Sequence, residues 1–239
     1  MSLVIGTAGW SLPARDAAAF GAGGSALARY ATRFDGVEIN SSFHRPHRRA
    51  TWERWAESVP ASFRFAVKLP KTISHQRKLA DCDDLVVRFL DEAGGLGGKL
   101  AILLLQLPPK LAFDPSVAEP FLAALAAATP ARLVCEPRHP SWFEPAPDAL
   151  LSALGVARVA ADPAIVPAAA LPGGWRGLGY WRLHGSPRVY RSRYDDGRLD
   201  LYASLLREER RAGRPAWCMF DNTAGSAAAG DALGLITRV

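Results

Sequence analysis

Residues 36–69 read GVEINSSFHRPHRRATWERWAESVPASFRFAVKL. A short apolar run opens at Gly36 and ends on polar Asn40; a helix-like segment, Arg48–Ser58, follows; a second apolar run, Arg64–Leu69, closes the stretch. Strand, helix and strand in succession are the repeat of a parallel α/β protein. Extended outward, the same reading predicts eight strands. They are Leu3–Gly6, Gly36–Asn40, Arg64–Leu69, Lys99–Leu107, Arg132–Glu136, Val156–Asp162, Gly179–His184 and Ala216–Phe220. Helices are predicted at Ser25–Phe34, Arg48–Ser58, Asp81–Gly94, Pro115–Thr129, Ala146–Leu154, Asp200–Ala212 and Ala227–Thr237. Pro163–Leu178 is rich in Pro, Gly and Ala and reads as loop.

Eight such units in 239 residues predict one domain, residues 1–239, with the fold of a (β/α)8 TIM-type barrel in which some helices are short or replaced by loops. The alternative is a doubly wound open sheet. That fold opens on a G-x-G-x-x-G turn, whereas the first turn here is Gly6-Thr7-Ala8-Gly9-Trp10.

In a barrel the chemistry sits at the carboxyl ends of the strands. Those ends hold Glu38 and Asn40, Lys68, Gln106, Glu136 with Arg138 and His139, Asp162, Arg182 with His184, and Asp221 with Asn222. Side chains alternate along a strand, so Glu38 and Asn40 share a face, as do Glu136 and Arg138, and Arg182 and His184. The five histidines, His44, His47, His75, His139 and His184, all fall on the same predicted rim.

Composition bounds the rest. Lys plus Arg is 29 against 23 Asp plus Glu, a net charge of +6, and hydrophobic residues make up 49%. Disorder, collagen, coiled coil and a disulfide scaffold are excluded on these values. Met1–Ser11 reads as strand, without a basic region or cleavage site, and the longest apolar stretch, Phe121–Ala128, is too short to span a bilayer. Cys82, Cys135 and Cys218 are odd in number and widely spaced. A reducing cytoplasm is the expected compartment, and no membrane partner is expected.

Several runs carry a specific resemblance. They are Ile5–Ser11, Val37–Phe43, Phe65–Lys71, Leu105–Pro109, Glu136–Phe143, Tyr180–Gly185 and Phe220–Thr223. Together they resemble domain-of-unknown-function family 72, the YecE-like proteins, across nearly the whole chain. The resemblance implies a TIM-type barrel, similar in kind to metal-dependent barrels such as endonuclease IV and xylose isomerase, and implies no established reaction. Two departures stand out: His44 occupies a position where members often carry Tyr, and Leu12–Ser25 is short and rich in Ala and Gly.

The predicted rim collects Arg45, Arg48, Arg49, Lys68, Lys71, Arg77, Lys78, Arg138, Arg182, Arg188, Arg191 and Arg193, with Trp10, Phe43, Trp142 and Tyr190 among them. Arg and Lys hold carboxylate and phosphate, and aromatic faces stack on bases. The leading reading is therefore a pocket for an anionic, phosphate-bearing small molecule, with acid–base or hydrolytic chemistry. Its catalytic candidates are Glu38, Lys68, Glu136, His184 and Asp221. Its binding candidates are Asn40, Gln106, Arg138, His139, Asp162, Arg182, Asn222, Trp10 and Trp142. The same charges could instead form a structural ion-pair network. A non-catalytic nucleic-acid-binding protein and a metal-dependent phosphodiesterase-like enzyme are the alternatives. No cofactor is predicted. Carboxylates and histidines from different strands could take a divalent metal, against the repulsion of Lys68, Arg138 and Arg182.

Overall fold

The computed structural model describes residues 3–239; Met1 and Ser2 of the strand-like opening Met1–Ser11 lie outside the described residues. The chain forms an α/β fold with parallel sheets. Its strands are β1 (Leu3–Thr7), β2 (Gly36–Ile39), β3 (Arg64–Lys68), β4 (Leu100–Gln106), β5 (Arg132–Glu136), β6 (Val156–Arg158), β7 (Ala160–Asp162), β8 (Gly173–Gly174), β9 (Gly179–Leu183) and β10 (Ala216–Phe220). Four strands pair in the order β1-β10-β9-β7 and six in the order β2-β3-β4-β5-β6-β8. Every pairing is parallel except the two-residue β8, which runs antiparallel to β6.

The two sheets meet at both ends of this order. Past β1, Ala8 bridges to Glu38 of β2, and the Gly9 N–H donates to the Glu38 carbonyl at 2.8 Å. At the other end the expected single strand Val156–Asp162 is interrupted at Val159. There the chain changes partner: β6 pairs with β5, while β7 pairs with β9 of the other sheet. Gly6 allows the approach of β1 to β2, because a Cβ there would lie 2.3 Å from the Gly36 carbonyl oxygen.

The helices are α1 (Ala26–Tyr30), α2 (Ser41–His44), α3 (Arg49–Glu57), α4 (Asp83–Ala93), α5 (Pro115–Ala127), α6 (Pro145–Ala153), α7 (Asp196–Arg211) and α8 (Ala228–Ile236). Their starts follow local chemistry. Ser25, Asp114 and Asp195 accept from backbone N–H groups of the first turns of α1, α5 and α7. Pro115 supplies a preset first residue for α5. Further expectations change, and α7 begins at Asp196 rather than Asp200. The helix at Ser25–Phe34 is only five residues long. The strand expected from Lys99 begins after a tight turn at Gly94–Lys99. The loop expected at Pro163–Leu178 contains a short helical turn, Pro167–Ala170, and β8. Among the described residues no helix is long and apolar enough to cross a membrane.

Alternation along the strands separates two cores. Val37, Ile39, Phe65, Val67, Leu103, Leu105, Trp181 and Phe220 pack in the larger cluster, which takes in the helices. The other face of the same strands gathers Val4, Ala66, Ile102, Leu104, Val134, Ala157, Tyr180 and Met219 from both sheets. Continuing that second face by two residues toward the carboxyl ends gives Lys68, Gln106, Glu136, Arg182 and Asp221, all buried. The polar group described next therefore sits directly above an apolar core.

Candidate functional site

Arg182 of β9 is fully enclosed, with none of its surface exposed. Its guanidinium meets three carboxylates from three other strands or strand ends. Glu38 of β2 is held in a two-pronged contact, Nη2 to Oε1 at 2.7 Å and Nε to Oε2 at 3.0 Å. Nη1 donates to Glu136 Oε2 of β5 at 2.5 Å, and Nη2 also donates to Asp221 Oδ2, just past β10, at 2.9 Å. The Tyr180 hydroxyl donates to Glu38 Oε2 at 2.8 Å, and Gln106 Nε2 to Glu136 Oε2 at 2.9 Å. A buried carboxylate is tolerated only with such partners.

His184 closes the group. Its Nδ1 lies 3.0 Å from Asp221 Oδ2 and its Nε2 3.0 Å from Glu136 Oε1. Burial alone would raise Glu136, but Arg182, His184 and Arg138 outweigh it and hold that carboxyl well below the usual range. Burial likewise opposes, and Arg182 and His184 overcome, in lowering Asp221. Both ring nitrogens therefore face ionised acceptors, an arrangement that favours the doubly protonated ring. Burial works against that charge, yet Glu136 and the hydrogen bonds to Asp221 and Glu136 raise the His184 pKa.

Two cations complete the rim. Arg138, half-buried, places Nη2 3.1 Å from Glu136 Oε1 and 3.5 Å from the Tyr190 hydroxyl. Lys68 is only 8% exposed, yet among the described residues its Nζ has no hydrogen-bond partner and no carboxylate within 4.0 Å. It lies over the face of Phe43, 4.0 Å from the ring centroid. Burial, then Arg182, pushes its pKa down to about 8, against the opposing pull of Glu136, Glu38 and Asp221. His75 stacks edge-on to Phe43 at 4.9 Å. Burial, then the charges of Lys68 and Arg138, lowers its pKa, and its Nδ1 is engaged with Ser74 Oγ at 2.9 Å.

The structure thus brings together Glu38, Lys68, Gln106, Glu136, Arg138, Arg182, His184 and Asp221. It places the other candidates elsewhere. Asp162 receives the Tyr194 hydroxyl at 2.7 Å and pairs with Arg198. Asn222 donates to the Ser192 carbonyl and to Asp231 at 2.8 and 2.7 Å, tying the end of β10 to α8. His139 accepts from the Ser141 N–H and caps the turn Pro140–Phe143. Trp142 is buried, donates to the Leu111 carbonyl and packs on Phe113. Trp10 packs edge-on to Trp55 at 5.1 Å. The buried Oδ1 of Asn40 has no partner among the described residues. Tyr180 joins the group without having been singled out. The signal was present, since Tyr180, Arg182 and His184 alternate along one strand.

A cavity of about 140 Å³ opens beside Glu136, Arg138 and His184, with otherwise apolar walls. Among the described residues no group of three or more His, Cys, Asp or Glu side chains is arranged to hold a metal ion. Arg182 occupies the space between the three carboxylates where a cation would have to sit.

This arrangement lies on a chain whose residues 4–239 match the family described as Protein of unknown function DUF72. The chain belongs to the DUF72 family. Over 84 residues it is 39% identical to the UPF0759 protein YecE of Escherichia coli strain K12, and equally so to YecE of strain O157:H7. That match covers 35% of this chain and spans about a third, 31%, of the curated relative's length. A DUF72 family protein of Enterococcus faecalis V583 superposes with a TM-score of 0.83 at 18% identity, covering 99% of this chain and 95% of that one. A DUF72 family protein of Thermotoga maritima MSB8 gives 0.79 at 21% identity, covering 99% and 98%. The whole described chain therefore has the DUF72 fold.

Proposed function

We propose that this DUF72 chain binds a small anion, phosphate-bearing or carboxylate, at the carboxyl ends of its parallel strands, with Lys68 and Arg138 as the groups that receive it. The observation that carries the reading is Lys68: a lysine only 8% exposed whose ammonium has no carboxylate within 4.0 Å among the described residues. Around it, three carboxylates face Arg182, Arg138 and His184, so with His184 protonated Lys68 leaves the group with one surplus positive charge. A largely desolvated charge without a close partner is costly in a folded protein, and perturbed groups of this kind gather at working sites. The two joins between the sheets, together with the core made from one face of both, support a TIM-type barrel whose mouth is this site.

In this reading Arg182 and the three carboxylates form the floor, and they position rather than react. Glu136 has both oxygens occupied, Oε1 by His184 and Arg138 and Oε2 by Arg182 and Gln106. Lys68, with its pKa of about 8, is able to exchange a proton near neutral pH. Calorimetric titration of the protein with inorganic phosphate and pyrophosphate tests this. Saturable binding that weakens at least tenfold in Lys68→Met, with the fold intact by circular dichroism, is the expected result. Silence toward phosphate, pyrophosphate and acetate alike in the unmodified protein overturns it.

A second reading has one observation behind it. Arg45, Arg77, Lys78, Arg188 and Arg191 are exposed on loops following the same strand ends, and none has a carboxylate within 4.0 Å among the described residues. These would follow a polynucleotide backbone. Anisotropy of labelled single- and double-stranded DNA and RNA at several salt concentrations separates the two: binding that falls steeply with salt favours the polynucleotide.

A further inference from the structure

The cavity beside Arg138 has a charged floor and an oily wall. Glu136, Arg138 and His184 supply the floor, and Phe143, Val159, Ile165, Ala169 and Val189 line the sides. Ile165 and Val189 stand out because they are 48% and 42% exposed, on the loops after β7 and β9. Scattered apolar residues on a surface need no explanation, but these two converge on one cavity. Tyr190, next to Val189, is also exposed and is held at φ +66°, a region that costs a non-glycine residue roughly 1–3 kcal/mol. In that conformation its ring stands edge-on to His184 at 5.5 Å, and its hydroxyl reaches Arg138.

A pocket with one cationic end and apolar walls selects a ligand built the same way. Nε and Nη2 of Arg138 are engaged by Glu136 and Tyr190, so Nη1, without a partner among the described residues, takes the anionic head. The volume, about 140 Å³, sets the size of the remainder, since an apolar cavity of about 150 Å³ accepts one benzene. Resting on the anion-binding reading above, we propose that the ligand carries an apolar group the size of a single aromatic ring, seated between Phe143, Ile165 and Val189 with its anionic head on Arg138.

The test uses non-hydrolysable probes on the intact chain: inorganic phosphate, methylphosphonate and phenylphosphonate, titrated by calorimetry. Each buried carbon is worth about a threefold to fourfold gain in affinity. Phenylphosphonate is therefore expected to bind at least tenfold tighter than methylphosphonate. In the double variant Ile165→Ser, Val189→Ser that advantage is expected to shrink below threefold, while methylphosphonate affinity stays within twofold. Both positions are on exposed loops, and the comparison of the two phosphonates on the unmodified protein needs no variant. Equal affinity for the two phosphonates there, with phosphate still bound, overturns the apolar subsite and leaves the anion site standing. An advantage that survives the double variant also overturns it. Failure of all three probes to bind overturns the anion site itself.

Discussion

Arg182 and Glu38 face each other across the two sheets, Nη2 to Oε1 at 2.7 Å, with neither side chain exposed to solvent. This pair and the contacts of Arg182 to Glu136 and Asp221 join strands that lie far apart in sequence. Taking one partner from a buried pair leaves an uncompensated charge, which costs about 3–5 kcal/mol. Arg182→Met should therefore lose that much stability in a urea titration. A loss under 1 kcal/mol would show that the carboxylates find other partners.

Tyr180→Phe removes a hydroxyl from Glu38 without touching the Arg182 pair. A hydrogen bond to a charged group contributes about 1.5–3 kcal/mol, so the variant should sit between the unmodified protein and Arg182→Met. Equal stability for Tyr180→Phe and Arg182→Met would contradict that ranking.

Lys68→Met should have opposite effects on binding and on stability. In the folded chain the pKa of Lys68 is about 8 rather than 10.5. Its charge therefore destabilises the fold fully below pH 8, and the penalty fades between pH 8 and 10.5. The variant should be more stable at pH 7 by roughly 1–3 kcal/mol while losing anion affinity. For the unmodified protein, affinity should fall as pH rises through about 8. A less stable variant would mean that Lys68 contributes to the fold.

Stability should vary with pH at both ends. Glu136 and Asp221 have lowered pKa values, from ordinary values of 4.5 and 3.8, so the stability they contribute is complete above those values and is lost as pH falls through the folded ones. His184 has a raised pKa, so its contribution is complete below 6.5 and lost as pH rises through the folded value. Melting temperatures in the Lys68→Met background, free of the opposing alkaline gain, should decline as pH falls below about 4.5 and again as it rises above about 6.5. His184→Gln should flatten the alkaline decline. A decline unchanged in that variant would assign it to another group.

Gly6→Ala places a Cβ 2.3 Å from the Gly36 carbonyl oxygen, a backbone atom that cannot swing aside. Overpacking of this kind costs about 1–3 kcal/mol. Denaturant unfolding should show that loss, and a neutral variant would mean that β1 and β2 can separate locally.

The strands were legible because each is a short apolar run closed by Gly, Pro or a charge. Where the expectations changed, a local event decided. Val159 turns the chain from one sheet to the other inside a run that looks uniform. Ser41–His44 forms a single helical turn, too short to carry a periodicity. The candidate site followed the same logic. Glu38, Glu136 and Arg182 lie within paired strands, where alternation fixes the direction of the side chain. Asp221 is still held by the ladder, its N–H donating to the Leu183 carbonyl at 2.8 Å. Asn40, His139 and Asn222 lie past the last paired residue, and alternation no longer governs them. Asp162 turns instead to Tyr194 and Arg198, a partnership set by the start of α7 that no spacing announces.

The position of Arg182 along the chain also bears on synthesis. Glu38 and Glu136 are made well before residue 182, and Asp221 comes after it. On the ribosome, β2 to β5 can pair as they emerge, yet Glu38 and Glu136 lack the Arg182 guanidinium that pairs with both until β9 is made. Burying those two carboxylates is therefore favoured only in the last quarter of translation, when residue 182 of 239 has been made.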